Sequence, residues 1–272
     1  LLAPRLEEAL ISTWSPLKVL RKGGNLKPIF LVHPAGGQVS HYQTLLRHLP
    51  ENQPLIGFEA AGLQSDQTPD ESFFAMATRY LAAIHAAGYT GPYTVGGWSS
   101  GGLIAFELAQ LLTTSGDIVE RIVLIDTPAP YAMVQPTVDE MLAWFLDDLQ
   151  LGFDVDKLDA SAADTAFDRI DAAVEQLGRD LLPEGLGVAE LFPIFNVFEA
   201  VLHSTSEYPS PPALAIKIDL IRAKEAIVRE YLHHPSSDAD DWGWTAFSSI
   251  SDVTTHWVDG THYTLLLEGT AQ

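Results

Sequence analysis

The sequence predicts an α/β fold built on a mainly parallel sheet and interrupted by one long helical insertion. Three observations predict it. Short unbroken apolar runs, such as Pro28-Ile29-Phe30-Leu31-Val32 and Ile122-Val123-Leu124-Ile125, stop abruptly at His33-Pro34-Ala35-Gly36-Gly37 and at Asp126, as expected of strands buried on both faces. Such runs alternate with segments of helical period, the pattern of a parallel sheet with right-handed crossovers. From about residue 130 to 212 the segments are helical throughout, broken only by Pro and Gly.

Within that frame the elements follow in order. Residues 1–26 read as an N-terminal extension or linker, with Lys22-Gly23-Gly24-Asn25 near its end and an edge strand within it. A single domain is expected over 27–272, since 272 residues accommodate one large fold with an insertion but not two domains plus linkers. After the Pro28–Val32 strand, a second strand is expected over Pro54–Phe58. Between Ser72 and Ala87, Phe73, Met76, Ala77, Tyr80, Leu81 and Ile84 recur at three- and four-residue steps, one face of a helix that Gly91-Pro92 ends. Tyr93–Gly97 is a strand, Trp98-Ser99-Ser100 a tight turn, and Gly101–Leu112 an apolar, central helix. The insertion divides into helices over Met141–Leu149, Ala163–Leu177 and Val188–Leu202, a lid of the kind that shields a site from water. Ala215–Arg222 alternates with period two, which suits a strand nearer the sheet edge with Asp219 outward, and Val253–Val258 is the last strand.

Composition narrows the function. Apolar residues at 47% and charged residues at 19% belong to a folded globular chain. Fifteen Lys and Arg against 36 Asp and Glu leave a net charge of −21, so nucleic acid and anionic membrane surfaces are excluded as partners. The absence of cysteine removes disulfides, thiolate metal sites and a Cys nucleophile together. No signal-like or membrane-spanning run is present, so a cytoplasmic setting is expected, and the initial Leu suggests a piece of a longer polypeptide.

Gly97-Trp98-Ser99-Ser100-Gly101 matches G-x-S-x-G, with the required strand before it and helix after it. Small neighbours are needed because a serine on so tight a strand-to-helix turn would otherwise clash. Ser99 is therefore the expected nucleophile of an α/β-hydrolase fold, against the plainer reading of a glycine-rich turn. Its hydroxyl needs a base, and His262, in Gly260-Thr261-His262-Tyr263 after the last strand, has the chain position this fold uses. His41, His48, His85, His203, His233 and His234 read as surface or lid histidines and His256 as a structural one. Asp126, at the end of an apolar strand, is the acid that would orient His262. A turn-capping role is its alternative, and Asp219 and Glu225 are weaker rivals. The loop His33–Gly37 is placed to supply a second oxyanion donor, so the amides of Ala35 and Ser100 are the expected pair. Asp238-Ala239-Asp240-Asp241 reads as a solvated acidic loop and His233-His234 as exposed, with no metal site expected.

Four segments in register, Phe30–Gly37, Gly96–Gly102, Leu124–Thr127 and Gly260–Tyr263, resemble the type I thioesterase domains that terminate nonribosomal peptide and polyketide synthases. The resemblance runs from about Ser15 onward. It implies release of a peptidyl or acyl chain from the phosphopantetheine arm of an upstream carrier domain, through an acyl ester on Ser99. Water would then give a free acid, or an internal amine or hydroxyl a macrocycle. It implies no cofactor in the domain itself. Phe192, Phe195, Phe198 and Leu202 either line the substrate chamber or only pack the lid. An acidic carrier would favour a basic docking patch, and no Lys/Arg cluster is evident in the sequence. A free-standing editing thioesterase, a carboxylesterase and a catalytically inactive hydrolase-like binding module are the competing readings.

Overall fold

Seven strands form one sheet in the order β1-β3-β2-β4-β5-β6-β7. They are β1 (Leu17–Arg21), β2 (Ile29–Val32), β3 (Leu55–Phe58), β4 (Tyr93–Trp98), β5 (Val119–Ile125), β6 (Lys217–Ala223) and β7 (Val253–Val258) in a computed structural model. It describes residues 14–64, 67–152, 154, 165–208, 210–225 and 234–267. Only β1 runs antiparallel, with Leu17 opposite Phe58, so the stretch before residue 27 supplies an edge strand of the sheet. Every other neighbouring pair is parallel. The carboxyl ends of those strands therefore emerge along one edge, which is where a parallel sheet collects its functional loops.

Alternation along the strands divides two apolar clusters between the faces. Phe30, Val32, Val95, Ile122 and Leu124 pack with helices α1 (Phe73–Ala86) and α2 (Ser100–Thr114). Leu31, Leu55 and Ile125 pack with Val39, Tyr42, Leu265 and Leu266 on the opposite side. Helix α2 is central because Leu103 to Ala109 leaves almost no polar side chain to solvate, and Ile104, Ala105 and Phe106 are wholly buried. Ser72 caps α1 by accepting the Ala75 amide at 3.1 Å.

The insertion forms α3 (Val138–Asp148), α4 (Ala166–Leu177) and α5 (Val188–Ser206). Helix α3 starts three residues earlier than its apolar period suggests, because Thr137 and Glu140 make a reciprocal capping box. The expected start of α4 at Ala163 lies outside the described residues. Phe145 joins α3 to α5 by edge-to-face contacts with Phe195 at 5.2 Å and Phe198 at 5.6 Å between ring centres. Helix α5 in turn rests on the loop after β2: a Cβ on Gly37 would lie 2.8 Å from Val197 Cγ1.

One strand residue departs from the sequence pattern. Asp219 does not face solvent but is only 7% exposed. Strand β6 is covered by β7, and Asp219 accepts hydrogen bonds from Arg121 of β5 and from His256 of β7, the latter at 3.1 Å. The outward period-two position is thus enclosed by hydrogen-bonding side chains from both flanking strands.

Candidate active site

Ser99 sits between β4 and α2 with φ 57° and ψ −133°, a conformation that non-glycine residues rarely adopt and that costs about 1–3 kcal/mol. The surroundings hold it there. Its amide donates to the Ile125 carbonyl at 2.9 Å, and its own carbonyl accepts from the Gly102 amide at 3.0 Å and the Thr127 hydroxyl at 2.8 Å. Tyr42 braces the preceding residue, accepting the Trp98 amide at 2.8 Å while donating to the Val32 carbonyl at 2.6 Å. The flanking glycines are required sterically, since a Cβ on Gly97 would lie 2.3 Å from Gly101 and one on Gly101 would lie 2.5 Å from the carbonyl oxygens of Val32 and His33. Backbone atoms cannot move aside as a flexible side chain would.

Asp126 also has positive φ, 46°, at the end of β5. Its Oδ1 accepts the Ala223 amide at 2.8 Å and its Oδ2 accepts His262 Nδ1–H at 2.8 Å. With Nδ1 donating, the other ring nitrogen of neutral His262 is left as an acceptor. Both side chains are buried, so the pair is shielded from competing water. Ser99, Asp126 and His262 line one cavity of about 450 Å³ beneath the lid, together with Ala35 and Ser100. Ser99 and His262 are not hydrogen-bonded to each other here, and such contacts commonly tighten only when substrate is bound. As the first residue of α2, Ser100 has an amide with no carbonyl four residues back in the helix. Asp219 is engaged elsewhere, and Glu225 is exposed at the cavity rim.

From the lid, Phe198 and Leu202 face the cavity, whereas Phe195 is buried against Phe145 and Phe192 packs on Phe167 at 5.5 Å. Several other cavity residues carried no signal in the sequence. Tyr131, Trp144 and Asp148 come from the insertion, and Arg222, Lys224, Trp242 and Trp257 from around β6 and β7. Arg222 is gripped between the faces of Trp242 and Trp257, 4.2 and 4.5 Å from the ring centres, and donates to the Ala239 and Asp240 carbonyls. The acidic loop is accordingly folded around Arg222 rather than simply solvated, and Asp241 accepts the Gly243 and Thr245 amides. Two histidines expected at the surface or on the lid are drawn inward, His234 fully and His41 in part. His234 is 6% exposed against Tyr131, its Nδ1 accepting the Ser236 amide, because the Trp242–Trp244 segment folds over it. His41 meets Trp98 edge-to-face at 5.0 Å between ring centres, with a buried Nε2. His233 lies outside the described residues. Among the described residues no group of three or more His, Asp or Glu is arranged to hold a metal, and no helix is long and apolar enough to cross a membrane.

These environments set a pH dependence of stability. Burial holds the imidazoles of His33 and His41 down from 6.5 to about 4, with a further repulsive contribution from His33 on His41. His33 stays neutral, bonded to the Pro34 carbonyl and the Tyr80 hydroxyl, each at 2.7 Å. Asp148 goes the other way: desolvation pushes its carboxyl from 3.8 up to about 6, against the pull of His262 and with repulsion from Asp147. Near pH 5 the unfolded chain therefore binds about two histidine protons that the folded chain refuses, while the folded chain holds about one proton on Asp148 that the unfolded chain has released. Stability should fall as pH drops from 7 to 5, with a limiting slope of about 1.4 kcal/mol per pH unit for the net proton taken up on unfolding. Asp148→Asn should make that fall roughly twice as steep. Urea unfolding across this range measures both slopes, and a flat wild-type profile would contradict the assignment.

The sheet order, the strained serine turn and the helical lid define an α/β-hydrolase fold. The Thioesterase domain family profile matches residues 27–272, and the chain belongs to that family. It is similar to the nonribosomal peptide synthetase atqA of Aspergillus terreus, 27% identical over 93% of this chain and 27% of the relative's length. Among solved structures it resembles holo-AB3403, a four-domain nonribosomal peptide synthetase, with a TM-score of 0.77 and 27% identity over 93% of this chain and 19% of that one. The Vlm2 thioesterase domain shares the fold at a TM-score of 0.68 and 24% identity, covering 94% of this chain and 92% of its own. The chain thus spans much less than two thirds of either synthetase.

Proposed function

We propose that this domain releases a peptidyl or acyl chain from the phosphopantetheine thioester of an upstream carrier domain in the same synthetase. The observation that carries the reading is the His262–Asp126 hydrogen bond in the wall of a cavity that also holds Ser99. Ser99 Oγ attacks the thioester carbonyl as His262 Nε2 takes its proton. The tetrahedral oxyanion is met by the amides of Ala35 and Ser100 at the positive end of α2. Collapse expels the pantetheine thiolate, which takes the proton back from His262, and leaves an acyl ester on Ser99. His262 then deprotonates water or a nucleophile of the chain itself, which attacks the ester and frees Ser99.

The mainly apolar wall and the overlying lid support a substrate that is drawn in by burial rather than by charge. Preference for a thioester is the property that separates this reading from a carboxylesterase. With one acyl group offered as a pantetheine thioester and as a simple oxyester, kcat/KM should favour the thioester after correction for the uncatalysed rates. Preference for the oxyester overturns the reading.

A further inference from the structure

We propose that Asp148 is a specificity determinant of the chamber, binding a primary ammonium group of the acyl or peptidyl chain while that chain is joined to Ser99. The inference rests on the chain-release reading. Asp148 ends α3 and lines the same cavity as Ser99 and His262, close enough for its charge to act on the imidazole. Among the described residues no hydrogen bond or ion pair occupies its carboxylate. The other charges of the wall are already satisfied or at the rim: Asp126 holds His262, Arg222 is bound by two carbonyls and two indoles, Lys224 pairs with Asp259 at 2.6 Å, and Glu225 is exposed.

Acyl transfer already has its hydrogen-bonded carboxylate in Asp126, which holds His262 Nδ1–H, and Asp148 makes no such bond to the imidazole. A carboxylate in the chamber opposes formation of the oxyanion, and the cavity wall that it shares includes Trp144, Met133, Phe198 and Leu202, which solvate no charge. The helix does not favour it either, because Asp147 and Asp148 close α3 with no basic residue, against the helix dipole. An acid with no hydrogen-bond or ion-pair partner among the described residues, at the end of a lid helix and facing a substrate chamber, is matched by a cation that arrives with the substrate. A primary ammonium fits because it brings three donors and a compact charge to one carboxylate.

The test uses ω-aminoacyl pantetheine thioesters of increasing chain length, each paired with its N-acetylated counterpart. Turnover is read with the wild type and affinity with Ser99→Ala, so that binding is seen without reaction. At the length that spans Ser99 to Asp148, the free amine should be favoured by about 10- to 100-fold. Asp148→Asn should erase that preference by weakening the amine alone, Asp148→Glu should keep part of it, and Asp148→Lys should shift it toward an ω-carboxyacyl chain. No preference at any length overturns the proposal. So does an equal loss on both members of a pair in Asp148→Asn, which would mean action through His262, or loss of preference in Glu225→Gln instead. If Ser99→Ala binds the amine series selectively but the wild type cleaves none of it, chain release is wrong and the ammonium site stands. If the wild type cleaves both members equally, the reverse holds.

Discussion

Ser99→Ala should reduce thioester turnover by on the order of 10⁶, leaving only what oriented binding and the oxyanion donors supply. The large effect follows from the acyl ester: without Oγ the chain cannot be transferred to the protein, and water must attack the thioester unaided. The fold should survive, because the interactions that hold the strained turn are main-chain ones. The Ile125 carbonyl still receives the residue 99 amide, and the residue 99 carbonyl still receives the Gly102 amide and the Thr127 hydroxyl. An unchanged thermal midpoint together with the lost rate separates a chemical role from a structural one. A variant with near-normal turnover would show that another residue carries the acyl group.

Asp126→Asn should lower kcat by about 10⁴, the size seen in the best-studied serine protease triad. The geometry here says why. Asp126 accepts two donors, the Ala223 amide at Oδ1 and His262 Nδ1–H at Oδ2. An asparagine has one oxygen to offer. If that oxygen keeps the Ala223 amide, its NH₂ group faces Nδ1, which must then accept. The ring proton moves to Nε2, and His262 can no longer take the proton of Ser99. Steady-state kinetics should show the loss in kcat with little change in binding of a substrate analogue. Loss of affinity with kcat preserved would contradict an orienting role.

Much of the sheet was legible because buried parallel strands leave short apolar runs with sharp ends, and Ile122–Ile125 stopping at Asp126 is such a run. The serine turn was legible for a related reason: each glycine around Ser99 is required by a contact under 3 Å that no side chain could make. His262 could be chosen by chain order alone. What was hidden is what tertiary contact decides. Asp219 alternates like a surface residue, and only the pairing of β5 and β7 on either side of β6 encloses it. Arg222 gives no hint in sequence of the two indoles around it, since Trp242 and Trp257 reach it from different loops and strands. His234 lies in a loop, where burial has no period to betray it, and His41 lies in a 3₁₀ helix, Ser40–Arg47, where the tertiary contact with Trp98 covers it. Asp148 was hidden because its α3 neighbours Phe145 and Leu146 are core while it turns toward the cavity.

The central claim is that the chain passes through an ester on one serine. Mixing the protein with a slowly hydrolysed acyl-pantetheine thioester, quenching in acid and mapping peptides by mass spectrometry tests it directly. The mass of the acyl group should appear on the peptide containing Ser99 and disappear in Ser99→Ala. Turnover of the thioester with no such adduct at any time, or an adduct on another residue, would contradict it.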